Sequence, residues 1–141
     1  MGNAVRTTSY QVERRDWLAT KFGTEEPKTI TLDVSLFTAN THYPNGYIPA
    51  GTVVGKVTSS GLYGPYDNAA NDGREVAANI TFDSAVVNTA DNTVAVPCAA
   101  MRRGDIVEAK MPFGAGTGQT NATGKIDSAG KTDLAGRFIF E

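Results

Sequence analysis

Residues 47–67, YIPAGTVVGKVTSSGLYGPYD, leave the fewest folds open, because their turns are spelled out in the sequence. Pro49-Ala50-Gly51 is a turn. Residues 52–58 are mostly β-branched and suit a pleated strand. Ser59-Ser60-Gly61 is a second turn, since glycine takes positive φ without strain. Leu62 and Tyr63 resume an extended chain until Gly64-Pro65 stops it. The stretch predicts a β-hairpin, followed by a small, polar surface loop over 67–73. It holds no nucleophile–base pair and no ligand cluster, so its first implication is architectural.

The rest of the chain fits a strand-rich body. Its 141 residues suggest one domain, or a domain with an arm. Hydrophobic residues make up 40% and charged residues 20%, enough apolar material for a core. Fifteen glycines and six prolines predict many turns. A net charge of −2 argues against a nucleic-acid partner, which a basic excess would favour. Cys98 is the one cysteine, so no intrachain disulfide can form, and it reads as a small buried hydrophobe. No apolar run approaches the roughly 18 residues of a membrane span. The first ten residues lack the apolar centre of a signal peptide, which predicts a soluble chain made in a cytoplasm. The sequons at Asn79 and Asn121 then carry no weight.

Residues 1–9 are small and polar. Residues 10–22, YQVERRDWLATKF, differ: Leu18 and Phe22 would share a helical face, but the pattern supports only a turn or two. Trp17, Leu18 and Phe22 must therefore be buried, either on their own domain or on a partner. Gly23 reads as a stop and residues 24–27 as a linker. The organisation expected is an arm over 1–27 and a β-rich domain over 28–141.

Residues 28–38 alternate most cleanly, with Ile30, Leu32, Val34 and Leu36 facing one way. Residues 40–46 read as a polar loop carrying the only histidine, His42, in a solvated position. Residues 74–82 alternate again, with Val76, Ala78, Ile80 and Phe82 inward. Pro97 places the strand over 93–99 at an edge or a bulge. Residues 102–104 form a turn before a short strand over 105–111. Residues 112–123 form a long loop, 125–134 a weak helix ended by Gly136, and 137–140 a closing strand. The core expected is Ile30, Leu32, Val34, Leu36, Val54, Val57, Val76, Ile80, Phe82, Val94, Val96, Ile106, Phe138 and Phe140.

Signals for chemistry are thin. Gly114-Ala115-Gly116-Thr117-Gly118 has the composition of a phosphate-cradling loop but is followed by more loop. Residues 124–132, GKIDSAGKT, have five residues where the P-loop spacing needs four. Arg103-Gly104-Asp105 spells an integrin-type tripeptide, for which a strand-joining turn is the plainer reading. Glu75, Asp83, Asp105 and Glu108 fall on different elements, so no pair is spaced for acid–base work. A lone histidine supports neither a metal site nor a triad. Tyr43, Tyr47, Tyr63 and Tyr66 gather around the hairpin. They suit an interface or a core better than a sugar site.

With these residues laid out, the chain resembles the lambda-type head decoration proteins of tailed bacteriophages, capsid cement proteins. The carriers are Ile48-Pro49-Ala50-Gly51-Thr52-Val53-Val54-Gly55, Tyr63-Gly64-Pro65-Tyr66-Asp67 with Asp72-Gly73, residues 103–109 (RGDIVEA) and residues 132–140 (TDLAGRFIF). It covers residues 47–141. It implies an α+β, mainly β fold: a small single domain of short antiparallel strands, partly barrel-like, with one or two short helices and an extended N-terminal arm. It implies a homotrimer seated at three-fold sites on the outside of an expanded head, holding it against genome pressure. The implied partner is the major capsid protein, with no direct contact to nucleic acid or membrane, no cofactor, no metal and no catalytic residue. An arm that orders on the capsid is typical of the group, so Tyr10, Val12, Trp17, Leu18 and Phe22 are the expected capsid contacts. A carbohydrate-binding virion module using the tyrosines, and a small enzyme with an unrecognised site, stand as the alternatives.

Overall fold

The computed structural model describes residues 15–113 and 124–141. In chain order its elements are β1 (Lys28–Leu32), α1 (Ala39–His42), β2 (Tyr47–Ile48), β3 (Val53–Lys56), β4 (Tyr63–Pro65), β5 (Asn79–Thr81), β6 (Ala85–Val86), β7 (Val96–Met101), β8 (Gly104–Ile106), α2 (Ser128–Asp133) and β9 (Phe138–Phe140). Strands β1, β4, β3, β5 and β7 close into a five-stranded barrel. Two smaller pairs, β2 with β6 and β8 with β9, lie outside that ring.

The hairpin forms as the sequence dictates: β3 runs antiparallel to β4, with Val54 opposite Pro65 and Lys56 opposite Tyr63. Gly51 and Gly61 sit at its two turns with φ of 91° and 74°, where a Cβ would be strained. β1 pairs antiparallel with β7 over its whole length, Ile30 opposite Cys98, and meets β4 in parallel only at Leu32 and Tyr63. That pairing closes the barrel and removes the sheet edges.

The strands bury side chains on both faces. Ile30, Leu32, Val54, Tyr63, Cys98 and Ala100 come from four strands and form one cluster, the barrel interior. Val53, Ile80 and Met101 face the other way and form a second cluster with Trp17, Met111, Leu134 and Phe138. This explains where strict alternation fails. Val53 and Val54 are both fully buried, as are Asn79, Ile80 and Thr81 in succession. The buried polar side chains of β5 are paired: Asn79 Nδ2 donates to the Met101 carbonyl at 3.0 Å, and Thr81 Oγ1 to the Pro49 carbonyl at 3.1 Å.

Several expected positions move. β1 stops at Leu32 because Asp33 Oδ1 accepts from Ser35 N at 3.2 Å and Ser35 Oγ at 2.5 Å, turning residues 34–36 into a 3-10 turn. Val34 stays buried there, and Leu36 ends half-buried. The inward strand expected over 74–82 shrinks to β5, since 67–76 is a loop closed by Asp72 and Arg74. Val76 and Val94 are consequently exposed, at 52% and 42%, rather than in the core. Phe82, Val96 and Phe140 are half-buried. Pro97 sits near the start of β7 opposite Thr31, beyond the reach of β5, which pairs only with Ala100 and Met101.

Candidate functional site

The N-terminal stretch is where the sequence placed function, and its described part, residues 15–27, is a strap across the body. Arg15 ties down one end. Its guanidinium pairs with Asp83, donates from Nε to the Phe82 carbonyl at 3.1 Å and stacks 4.2 Å from the centre of the Phe82 ring. Two residues on, the chain runs along the free edge of β8. Val107 N donates to the Trp17 carbonyl at 2.7 Å, Ala19 N donates to the Asp105 carbonyl at 3.0 Å, and Leu18 bridges antiparallel to Ile106. The strap thus adds a third, short strand to the β8–β9 pair. Thr20 Oγ1 donates to Asp105 Oδ2 at 2.8 Å.

Trp17 is 1% exposed and sits in the outer cluster. Its indole lies against the first hairpin turn: a Cβ on Gly51 would come within 2.9 Å of Trp17 Nε1 and of Pro112 Cδ. The turn Pro49-Ala50-Gly51 is therefore the seat of the tryptophan as well as the start of the hairpin. Further along, Gly23 (φ 82°) crosses the turn between β7 and β8, where a Cβ would meet the Arg103 carbonyl at 2.1 Å. Glu26 then pairs with Arg103 at 3.4 Å.

The expected contact residues fall into three groups. Trp17 and Leu18 are packed on the body, Trp17 fully and Leu18 in part. Phe22 is 52% exposed. Tyr10 and Val12 lie outside the described residues. The spacing of Leu18 and Phe22 suggested a helical turn. The strand edge of β8 captures residues 17–19 instead, because it offers backbone partners that a short isolated helix lacks.

The other candidates take structural places. His42 is 2% exposed, not solvated. The short α1 turn brings its Nδ1 within 2.8 Å of Thr38 N, which donates to it, and its ring meets Phe37 and Phe113 edge-on. Cys98 is buried in the barrel. Tyr43, Tyr63 and Tyr66 are buried and Tyr47 half-buried, so their faces are not laid out for a sugar. Tyr66 donates to Asp127 Oδ1 at 2.8 Å. Burial first, then that hydrogen bond and the nearby carboxylates of Asp127, Asp133 and Asp67, push its hydroxyl above the ordinary tyrosine range.

Arg103-Gly104-Asp105 is not a displayed loop. Gly104 is buried in β8, and the flanking side chains are held by Glu26 and Thr20. In residues 124–132, Asp127 caps α2 by accepting from Gly130 N at 2.8 Å, and the helix is only six residues long. Residues 114–118 lie outside the described residues. Glu75 accepts from Gly73 N, Asp83 pairs with Arg15, and Glu108 pairs with Lys131 at 2.6 Å. Among the described residues no three metal-ligating side chains gather in one place.

What remains is a body with a strapped-on N-terminal segment. The family model described as bacteriophage lambda head decoration protein D matches residues 15–132. The match begins well before residue 47 and takes in the whole strap. No curated protein and no solved structure matches the chain.

Proposed function

The chain belongs to the bacteriophage lambda head decoration protein D family, and on that footing we propose that it binds the outer surface of the expanded capsid at three-fold sites, as a trimer, and stabilises the head against genome pressure. The family is one of structural components of the phage virion. The match over residues 15–132 carries the reading. The partner is the major capsid protein, and the protein works on the outside of the virion after synthesis in the host cytoplasm.

The strap gives the proposal its detail. Trp17 and Leu18 fix the described N-terminal segment to the body. Tyr10 and Val12, together with the exposed Phe22, are the groups that meet the shell. A segment of this kind can add a strand to a neighbouring subunit. The arm that reaches the shell then ends at about Arg15, while residues 15–27 serve as its anchor.

Expanded heads and unexpanded shells, each incubated with the purified protein and sedimented, test this directly. The protein should co-sediment with expanded heads and not with unexpanded shells. Deleting residues 1–14 should leave a folded body and weaken attachment by roughly a hundredfold or more, as expected for losing several buried contacts. Equal binding to both particles, or full binding without residues 1–14, would count against it.

A further inference from the structure

One cleft of about 590 Å3 opens where β1 begins, β7 ends and β9 approaches, lined by Phe22, Lys28, Asn79, Arg102, Arg103 and Arg137. Four of these are cations and none is a carboxylate, in a protein whose net charge is −2. Elsewhere three cations are held by carboxylates: Arg15 by Asp83, Arg74 by Asp72, Lys131 by Glu108. In the cleft only Arg103 has a carboxylate partner among the described residues, and that partner, Glu26, has a side chain 60% exposed. Lys28 Nζ donates to the Tyr63 hydroxyl at 3.2 Å. Arg137 donates to the carbonyls of Ala78 at 2.8 Å and Arg102 at 3.4 Å. Those carbonyls orient the guanidinium without cancelling its charge. Phe22 adds an exposed aromatic face beside the cations.

The chain's own undescribed segments carry little negative charge to offer such a site. Residues 1–14 carry one glutamate against two arginines, and residues 114–123 carry no charge. We propose that the cleft takes an acidic, extended segment of the shell protein, its carboxylates met by Arg102, Arg103 and Arg137 and an apolar side chain resting on Phe22. Paired guanidinium–carboxylate contacts favour carboxylates over neutral peptide. The identification of the shell as the source rests on the proposed function. The preference for carboxylates rests on the cleft alone.

The probe is acetylated hexaglutamate, titrated into the intact protein by NMR, with acetylated hexaglutamine and inorganic polyphosphate as comparisons. Hexaglutamate should perturb the amides of Arg102, Arg103 and Arg137, and raising salt from about 20 to about 200 mM should weaken it by about tenfold or more. Arg102→Glu, at an exposed position outside any ion pair in the described structure, should leave the melting temperature unchanged. It should weaken both the peptide and attachment to expanded heads by about tenfold or more. Arg137→Gln is the second variant.

Hexaglutamate binding no better than hexaglutamine, or unaffected by Arg102→Glu, would overturn the proposal. So would saturation by polyphosphate alone, the mark of a phosphate surface, or salt-sensitive self-association that Arg102→Glu abolishes, the mark of a second copy. Attachment to heads that Arg102→Glu leaves untouched would defeat the cleft's role and spare the proposed function. Peptide binding by a protein that attaches to no heads would defeat the proposed function and the shell as source.

Discussion

Inside the barrel, Ile30, Leu32, Val54 and Cys98 meet across strands held in register by backbone hydrogen bonds. On its outer side, Val53, Ile80 and Met101 are roofed by Trp17, Met111, Leu134 and Phe138, which come from four separate parts of the chain. The inner cluster is framed by the closed ring and completed by Val34, Phe37, Tyr43, Ile48, Ala85 and Val87 from the segments that follow β1 and that form and flank the β2–β6 pair. The outer one is closed only when the strap, α2 and the β8–β9 pair have all arrived. Two cores of similar composition thus depend on different things: the first on sheet closure, the second on long-range docking of the N-terminal strap.

The comparison breaks most readily at Trp17. Trp17→Ala should destabilise the protein by about 3–5 kcal/mol, because a fully buried aromatic is lost and its pocket cannot collapse around Gly51. Leu32→Ala, at the centre of the barrel, should cost about 2–5 kcal/mol. Urea titration of both variants measures the two cores side by side. A loss below about 1 kcal/mol for Trp17→Ala alone would mean that the strap contributes little to the fold.

A smaller effect sharpens the link between the strap and the hairpin. Gly51→Ala puts a side chain at φ 91° and within 2.9 Å of the indole, and should cost about 1–3 kcal/mol. If the strap is the part that yields, tryptophan fluorescence should shift toward the solvent-exposed range while the barrel keeps its far-UV signal. An unshifted emission with an equal loss of stability would place the strain in the turn instead.

The smallest effect concerns pH. Tyr66 lies in the outer cluster with its hydroxyl titrating above the ordinary tyrosine value near 10. Its neutral form is favoured by folding, so its contribution is complete below about pH 10 and is lost as the pH rises beyond that. Thermal melts between about pH 9 and pH 11 should show a fall that Tyr66→Phe reduces. A wild-type protein with no such fall would remove Tyr66 from the account.

The inner core was legible because its signal is local. The β-branched run at 52–58, the glycine turns and the alternation through Ile30 and Leu32 each follow from neighbours in sequence. The misplaced positions mark where local pattern stops deciding. Val76 and Val94 alternate correctly on paper, but an aspartate-rich loop and a turn carry them into solvent. His42 looked solvated because nothing in its neighbourhood names Phe37 and Phe113 as its partners.

The sequence shows that Trp17 needs burial, while its seat at Gly51 and on the edge of β8 is a tertiary fact without a sequence period. The cationic cleft was invisible for the same reason: Lys28, Arg102, Arg103 and Arg137 are spread over more than half the chain.

The central claim is that residues 15–27 are docked on the body, through Trp17 and Leu18. Hydrogen exchange of the free protein at Ala19 and Val107 tests it most directly, since those two amides bind Asp105 and the Trp17 carbonyl. Protection within about tenfold of the amides of β1 and β7 is the expected result, because the strap then opens only with the body. Exchange at the rate of an unprotected chain at both amides, with β1 and β7 still protected, would contradict it and return Trp17 to the arm.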